Sequence, residues 1–375
     1  MHAYTPLPFI IIILLSVVPF ASMVTVPVTG AGDTMMFRYD AAHTGDYSLV
    51  AGHSTSNGKL KWNYTTGSYV LSTPAVVNGM VYVGSTDHNV YALDAATGKK
   101  VWSYATGDIV ISSPAVANGV VYVGSVDRNV YALNAATGKL VWNYTTGSGL
   151  ESSPAYANGV VYVGTDRNVS ALNATTGAKV WNYTTGSGVN SSPAVANGMV
   201  YVGGLDKNVY ALDARTGTKV WNYTTGSAVD SSPAYANGVV YVGGDDHKVY
   251  ALNAATGKLV WSYAAGSAVW SSPAVANGVV YVGSWDKNVY ALDAATGKLV
   301  WNYTTGGWVY YSSPAVANGV VYVGGWDKNV YALNAATGKL VWNYTTGSGL
   351  ESSPAVANGV VYVGGDDYNV YALGT

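Results

Sequence analysis

Eight near-copies of one 40-residue unit run from about residue 64 to the end of this chain, and few folds are open to a sequence built that way. Residues 112–147 read SSPAVANGVVYVGSVDRNVYALNAATGKLVWNYTTG. The proline recurs at Pro74, Pro114, Pro154, Pro193, Pro233, Pro273, Pro314 and Pro354, in steps of 39 to 41 residues. A tryptophan recurs with it at Trp62, Trp102, Trp142, Trp181, Trp221, Trp261, Trp301 and Trp342. That period belongs to a four-stranded propeller blade rather than to a helical solenoid.

Turn chemistry divides each unit into four strands. Asn-Gly stands between two apolar runs in every copy, from Asn78-Gly79 to Asn358-Gly359, and supplies the two positive φ values of a type I′ hairpin. It joins strand A (SSPAVA) to strand B (VVYVG). The B–C turn is Asp-x-Asn, as in Asp127-Arg128-Asn129, where the side chains bond their own backbone. Strand C (VYAL) ends in the A-A-T-G-K loop, and strand D (LVWNYT) puts Trp142 and Tyr144 on one face and Asn143 on the other. The last copy stops after strand C, whereas an orphan strand D, residues 59–64, precedes the first. Pairing those two pieces predicts an all-β, eight-bladed β-propeller of four-stranded antiparallel blades, closed by an N-terminal strand that completes the last blade and removes an open edge.

Composition narrows the function. Charged residues make up 10% of the chain and the net charge is −2, so no basic stripe is present to meet nucleic acid. Cysteine is absent, which excludes disulfides, thiolate metal sites, a cysteine nucleophile and a lipid anchor on cysteine. The histidines His2, His43, His53, His88 and His247 show no metal-ligand spacing, and His43 and His53 read as solvated residues of a polar lead-in. Residues 1–32 carry no charged side chain and contain FIIIILLSVV. They read as a signal peptide or an N-terminal membrane anchor, with a secreted or cell-surface protein following. Residues 33–56 are then a lead-in and 57–375 the propeller.

The motif Ala132-Leu133-Asn134-Ala135-Ala136-Thr137-Gly138-Lys139-Leu140-Val141-Trp142, repeated around the chain, resembles the repeat of the pyrroloquinoline-quinone (PQQ) propeller superfamily. The segment Phe37-Arg38-Tyr39-Asp40-Ala41-Ala42-His43-Thr44-Gly45 resembles the lead-in of such propellers. The resemblance implies that the repeated tryptophans are structural, docked between blades. It also implies one of two classes, a non-enzymatic scaffold or a dehydrogenase that holds PQQ with calcium over its channel.

Variation among the eight copies concentrates in two places. Before the Ser/Thr-Pro the series runs Leu71, Ile111, Glu151, Asn190, Asp230, Trp270, Tyr311, Glu351; before the B–C turn aspartate it runs Thr86, Val126, Leu205, Asp245, Trp285, Trp326, Asp366. Strand alternation puts both sites on one face of the disc. There Trp270, Trp285, Trp308, Tyr310, Tyr311 and Trp326 form a candidate partner-binding patch on blades six and seven. Glu151, Asn190, Asp230 and Glu351 are polar candidates at the channel mouth, and Asp245, Asp366 and Asp367 join them in an acidic fringe. Arg128, Arg167, Lys207, Lys287 and Lys328 form a sparse ring expected to offer weak ion pairs. The repeated Asp-x-Asn reads as turn chemistry, not calcium binding. The N-Y-T sequons at Asn63, Asn143, Asn182, Asn222, Asn302 and Asn343 belong to the duplicated strand.

The expectation is an extracellular, monomeric scaffold that binds a protein or carbohydrate through this face, with no cofactor and no metal. The alternative is a PQQ- and calcium-dependent quinoprotein dehydrogenase, with Glu151, Asn190 and Asp230 at the inner start of strand A and Trp270 beneath the cofactor. Such enzymes carry long inserts, and often an adjacent cysteine pair, that this chain lacks. A third resemblance is to the propeller lipoprotein of the bacterial outer-membrane barrel-assembly machinery, whose lipid-anchor cysteine is also missing. Two kinds of tryptophan give a stability test. Trp261→Ala is expected to cost about 3–5 kcal/mol, and Trp326→Ala, like Trp270→Ala, within about 0.5 kcal/mol if these are surface residues. Equal losses in chemical denaturation would show that the faces are misassigned.

Overall fold

The computed structural model describes residues 34–35, 37–48 and 55–374. The predicted leader lies outside them. Among the described residues no helix is long and apolar enough to cross a membrane. Eight antiparallel sheets form the ring. In blade two, strand A is Ala115–Ala117, B is Val120–Gly124, C is Asn129–Asn134 and D is Leu140–Thr145. The Ser-Ser-Pro ahead of Ala115 is coil, so strand A is shorter than its sequence suggests.

Burial follows position in the blade. The A strand is buried throughout and B and C almost so, because neighbouring blades cover both of their faces. Strand D alternates: Trp142 is buried, Val141 and Asn143 are exposed. The turns take the expected geometry, with Asn118 at φ 51° and Gly119 at φ 74°. Asp127 Oδ1 accepts the Asn129 N–H at 2.9 Å, and its Oδ2 accepts the Gly107 N–H at 2.7 Å and the Tyr131 hydroxyl. That carboxylate is fully engaged in holding its loops. The N-Y-T asparagines are exposed on the outer strand, where Asn222 donates across to Asn208 at 3.0 Å.

Blades lock through one repeated contact. Trp102 Nε1 donates to the Ala135 carbonyl of the next blade at 2.9 Å, and Tyr82 Oη of the same blade reaches that carbonyl at 3.1 Å. The indole lies on Gly138, at φ 70°, where an added Cβ would sit 2.7 Å from Trp102 Cδ2. Glycine is required there on both counts, positive φ and close approach.

The ring closes as the sequence predicts. Leu60–Thr65 pairs with Asn369–Gly374, with Trp62 opposite Ala372. Gly374 N–H bonds Lys59 O at 2.8 Å, the same link that Asn134 N–H makes to Lys139 O inside blade two. Trp342 finds its acceptor across the seam in Ser56 O at 2.8 Å, and Gly58 takes the glycine's place beneath it.

The lead-in does more than introduce the ring, because it crosses the central channel. Thr34–Met35 adds a fifth strand to the inner edge of blade two. Ala42 O accepts from Tyr235 N at 2.8 Å, Thr44 O from Val275 N at 2.7 Å, and Tyr47 N donates to Val316 O at 2.7 Å. Arg38 is buried and donates to the carbonyls of Ser272, Pro314 and His43 on blades six and seven and the lead-in itself. Burial lowers its pKa to about 10. His43 is not solvated as expected: it is fully buried, and burial together with Arg38 lowers its pKa to about 3, so it stays neutral. His53 lies outside the described residues.

The seam yields a paired test. Gly58→Ala and Gly79→Ala impose similar positive-φ strain, but only at Gly58 does the new Cβ meet an indole, 2.7 Å from Trp342, whereas nothing lies within 4 Å at Gly79. Gly58→Ala is expected to lose about 1–3 kcal/mol more than Gly79→Ala in denaturation; equal losses would mean that the seam does not dock as described.

Candidate binding face and channel mouth

The two variable series lie on one face because the D–A connection and the B–C turn are bonded to each other. Val126 N–H reaches Ile109 O at 3.1 Å, Trp285 N–H reaches Ala268 O at 3.1 Å and Trp326 N–H reaches Trp308 O at 2.9 Å. With backbone bonds holding the loops, the side chains at those positions are left to vary.

The serines set the inner wall. The first serine of Ser-Ser-Pro bonds its own blade, as Ser112 Oγ accepts the Gly124 N–H at 3.1 Å, and in two copies it also reaches the next blade, Ser231 Oγ donating to Ser271 O at 3.2 Å and Ser352 Oγ to Ser72 O at 2.9 Å. The second spans the blade gap: Ser113 N–H donates to Ser153 Oγ at 2.9 Å, and the same link recurs from Thr73 through Ser313 to Ser353. The hydroxyls encircle a cavity of about 330 Å³ at the channel mouth. Phe37, from the segment that crosses the channel, lines it as well. The first variable series supplies the rim, one residue per blade from Leu71 to Glu351. Neither the hydroxyl ring nor Phe37 is legible as a site in the sequence. Ser-Ser-Pro reads only as the start of a strand, and the lead-in as a solvated linker.

The structure gathers the predicted residues. Glu151, Asn190, Asp230 and Glu351 all line the cavity. The six aromatics form one continuous cluster: Trp270 lies 4.4 Å from Trp285, 5.0 Å from Tyr310 and 5.3 Å from Tyr311, and Trp308 lies 5.9 Å from Trp326 between ring centroids. Trp308, Tyr311 and Trp326 are exposed, while Trp285 and Tyr310 are half-buried. Trp270 is half-buried as well and donates its indole N–H to Asp245. It is therefore not the surface residue assumed in the stability comparison, and Trp326 alone represents that class. Trp270 and Tyr311 also line the cavity, so patch and channel mouth are one surface.

Two expectations about charge change. Asp367 is not part of the fringe but the turn aspartate of blade eight, bonded to Gly347 N at 2.8 Å and to the Tyr371 hydroxyl. The ring of Arg128, Arg167, Lys207, Lys287 and Lys328 makes no ion pair with the fringe carboxylates. The remaining acids stand unneutralised. Burial, then the nearby Asp245 charge, raises Asp230 to about 6. Burial, then Glu351 and Asp367, raises Asp366 to about 7. Asp245 and Glu351 are also pushed up, chiefly by burial.

The model of a PQQ-type repeat family, described as outer membrane protein assembly factor BamB, matches residues 26–153, 127–230, 205–310 and 309–375. The chain belongs to this family. No curated protein matches it in sequence. Among solved structures, BamB from Moraxella catarrhalis is 20% identical, covering 84% of this chain and 99% of that one, with a TM-score of 0.74. The computationally designed protein Ika8 is 18% identical over 86% of this chain and 100% of its own, with a TM-score of 0.76. The quinohemoprotein alcohol dehydrogenase of Comamonas testosteroni is 19% identical over 91% and 80%, with a TM-score of 0.75. An assembly factor, a designed protein and an alcohol dehydrogenase share this fold, so the likeness establishes the propeller alone.

The likeness in fold to a quinohemoprotein alcohol dehydrogenase raises the question of PQQ with calcium. PQQ is a flat quinone bearing three carboxyl groups. The cavity that would receive it is lined by three carboxylates and by no lysine or arginine. Arg38, the buried cation of the segment that crosses the channel, donates its N–H groups to carbonyls. Among the described residues no three ligating side chains gather around a point that could hold a metal ion. The donor set of this BamB-family chain does not fit the group, and no catalytic step through it follows.

The raised carboxyls give a pH dependence. A carboxyl whose folded pKa exceeds its unfolded value stabilises the fold in acid and loses that contribution as pH rises through the folded pKa. Asp230 and Asp366 therefore withdraw stability between about pH 4 and about pH 7. Asp366→Asn is expected to be more stable than wild type by about 1 kcal/mol at pH 8, discounted for the screening of a half-exposed group, and little different at pH 4. Urea denaturation at the two pH values checks this; the same difference at both would rule out the titration.

Proposed function

We propose that this protein is a non-catalytic scaffold at the cell exterior that binds a protein partner through the face built from its D–A and B–C loops. The single observation that carries the reading is the aromatic cluster. Six rings from adjacent blades six and seven pack into one patch that runs into the channel mouth, with Trp308, Tyr311 and Trp326 open to solvent. Aromatics present large contact area at small entropic cost, and a clustered exposed patch marks a contact surface. The family description, an outer membrane assembly factor, supports a protein partner over a carbohydrate and favours export. The uncharged leader, with its apolar run of ten residues, supports the same location. The quinoprotein reading is weaker because the cavity offers carboxylates where a tricarboxylate cofactor needs cations.

A photo-crosslinking residue at position 308 in the full chain, expressed in its own cells, is expected to give a discrete adduct to an envelope protein. The same residue at position 141, on the outer strand, is expected to give none. Adducts from both positions or from neither would overturn the face assignment. Titration of residues 33–375 with PQQ plus calcium is expected to give no saturable quenching of tryptophan fluorescence; saturable quenching that is lost in Trp270→Ala would favour the quinoprotein instead.

A further inference from the structure

The channel-mouth cavity is electrostatically incomplete. Glu151, Asp230 and Glu351 line it together with Asn190, and no lysine, arginine or histidine does. The hydrogen-bond partners of these acids are neutral. Asn190 Nδ2 donates to Asp230 Oδ1 at 3.2 Å, and the Trp326 indole bonds Glu351. Just outside, the Trp270 indole serves Asp245, while Asp366 Oδ1 is buried with no hydrogen-bond partner. The rest of the wall is the ring of hydroxyls, Leu71 and Ile111, and the aromatic side chains of Trp270, Tyr311 and Phe37. Trp270 and Tyr311 stack at 5.3 Å and 28°, and Phe37 is a further lining ring.

Those walls discriminate among ligands. An anion meets like charge. A neutral polyol satisfies the carboxylate lone pairs but leaves the mutual repulsion of the acids in place. A bare metal ion needs several oxygens gathered within bonding distance, and among the described residues no such group exists. An organic cation meets every demand: it supplies only donors to groups that only accept, it cancels the repulsion, and its alkyl part packs on ring faces whose quadrupole attracts positive charge.

We propose that the channel-mouth cavity binds an alkylammonium group, seated among Glu151, Asp230 and Glu351 and against the faces of Trp270 and Tyr311. The inference deepens the binding-face reading and rests on it for its location. The group can come from a lysine side chain of the partner or from a free amine, and the two sources are separable.

The full chain is titrated by calorimetry with n-butylammonium, with an acetylated lysine methylamide, and with a peptide carrying one central lysine. N-butylacetamide, butyrate and glucose serve as neutral, anionic and polyol controls. Saturable binding of the cations alone is expected, weakened about tenfold or more in Asp230→Asn and in Glu351→Gln. Both substitutions are close in shape, and an unchanged denaturation midpoint at pH 5 separates loss of binding from loss of fold. Cation affinity is also expected to fall from pH 8 to pH 5 as Asp230 protonates. Asp245, Glu151, Tyr310 and Tyr311 are the titratable groups that act on it, and His247 acts on Asp245. Peptide affinity well above that of the free amines assigns the site to a partner lysine; equal affinities assign it to a small amine. Binding of the acetamide or glucose as strong as that of the cations, no binding of any probe, or full affinity in both variants would overturn the proposal. If the position 308 adduct persists in that event, only the cation site falls; if the adduct too is absent, the binding-face reading falls with it.

Discussion

Everything in this molecule depends on an indole reaching from the outer strand of one blade onto the terminal loop of the next. The Trp102 N–H ends on the Ala135 carbonyl while its ring covers Gly138. The contact joins a hydrogen bond that must be satisfied in a buried place to a large apolar area that nothing else could cover. It needs a tryptophan, a glycine with positive φ and a fixed loop length at once. That triple requirement explains why A-x-T-G-K-x-x-W varies so little among the copies. At the seam a different stretch of chain, Ser56 to Gly58, rebuilds the same contact for Trp342, so closure uses no chemistry of its own.

The inner circumference obeys a second constraint. Eight short strands converge on an axis, and the backbone groups ahead of them would be buried without partners. The second hydroxyl of each Ser-Ser-Pro accepts from the preceding blade, and the lead-in supplies carbonyls and amides to the strands that face the channel. Arg38 completes this arrangement by taking carbonyls from two blades and from its own segment. With structural work confined to serine, glycine, tryptophan and the turn aspartate, the residues just before Ser-Ser-Pro and just before that aspartate carry no structural duty. Those are the positions at which acids and aromatics have accumulated, and the first of the two series converges on one cavity.

The outline of the site was legible from comparing the copies with one another. Positions such as Glu151 and Trp270 differ from their siblings where Gly138 and Trp142 do not, and the up-and-down alternation of strands within a blade places the D–A and B–C connections on a common face. The missing parts were missing for definite reasons. Phe37 and His43 belong to a segment that does not repeat, so no pattern shows that it is buried. Asp366 and Asp367 are neighbours in sequence, and the Asp-x-Asn spacing to Asn369 already marks Asp367 as the turn residue, which its bonds from Gly347 and Tyr371 bear out. The expected ion pairs of the cation ring with the fringe did not form among the described residues.

The sequence by itself determined the blade, the number of blades, the closing strand and the side of the disc that varies. Each of these follows from a period, a turn dipeptide or an alternation, which are local and read along the chain. The plugged channel, the ring of hydroxyls and the unneutralised acids beside stacked aromatic rings were decided only by the tertiary structure. They arise because residues 40 or more apart are carried to one axis, and the charge balance of a cavity is a sum over blades that no single repeat contains.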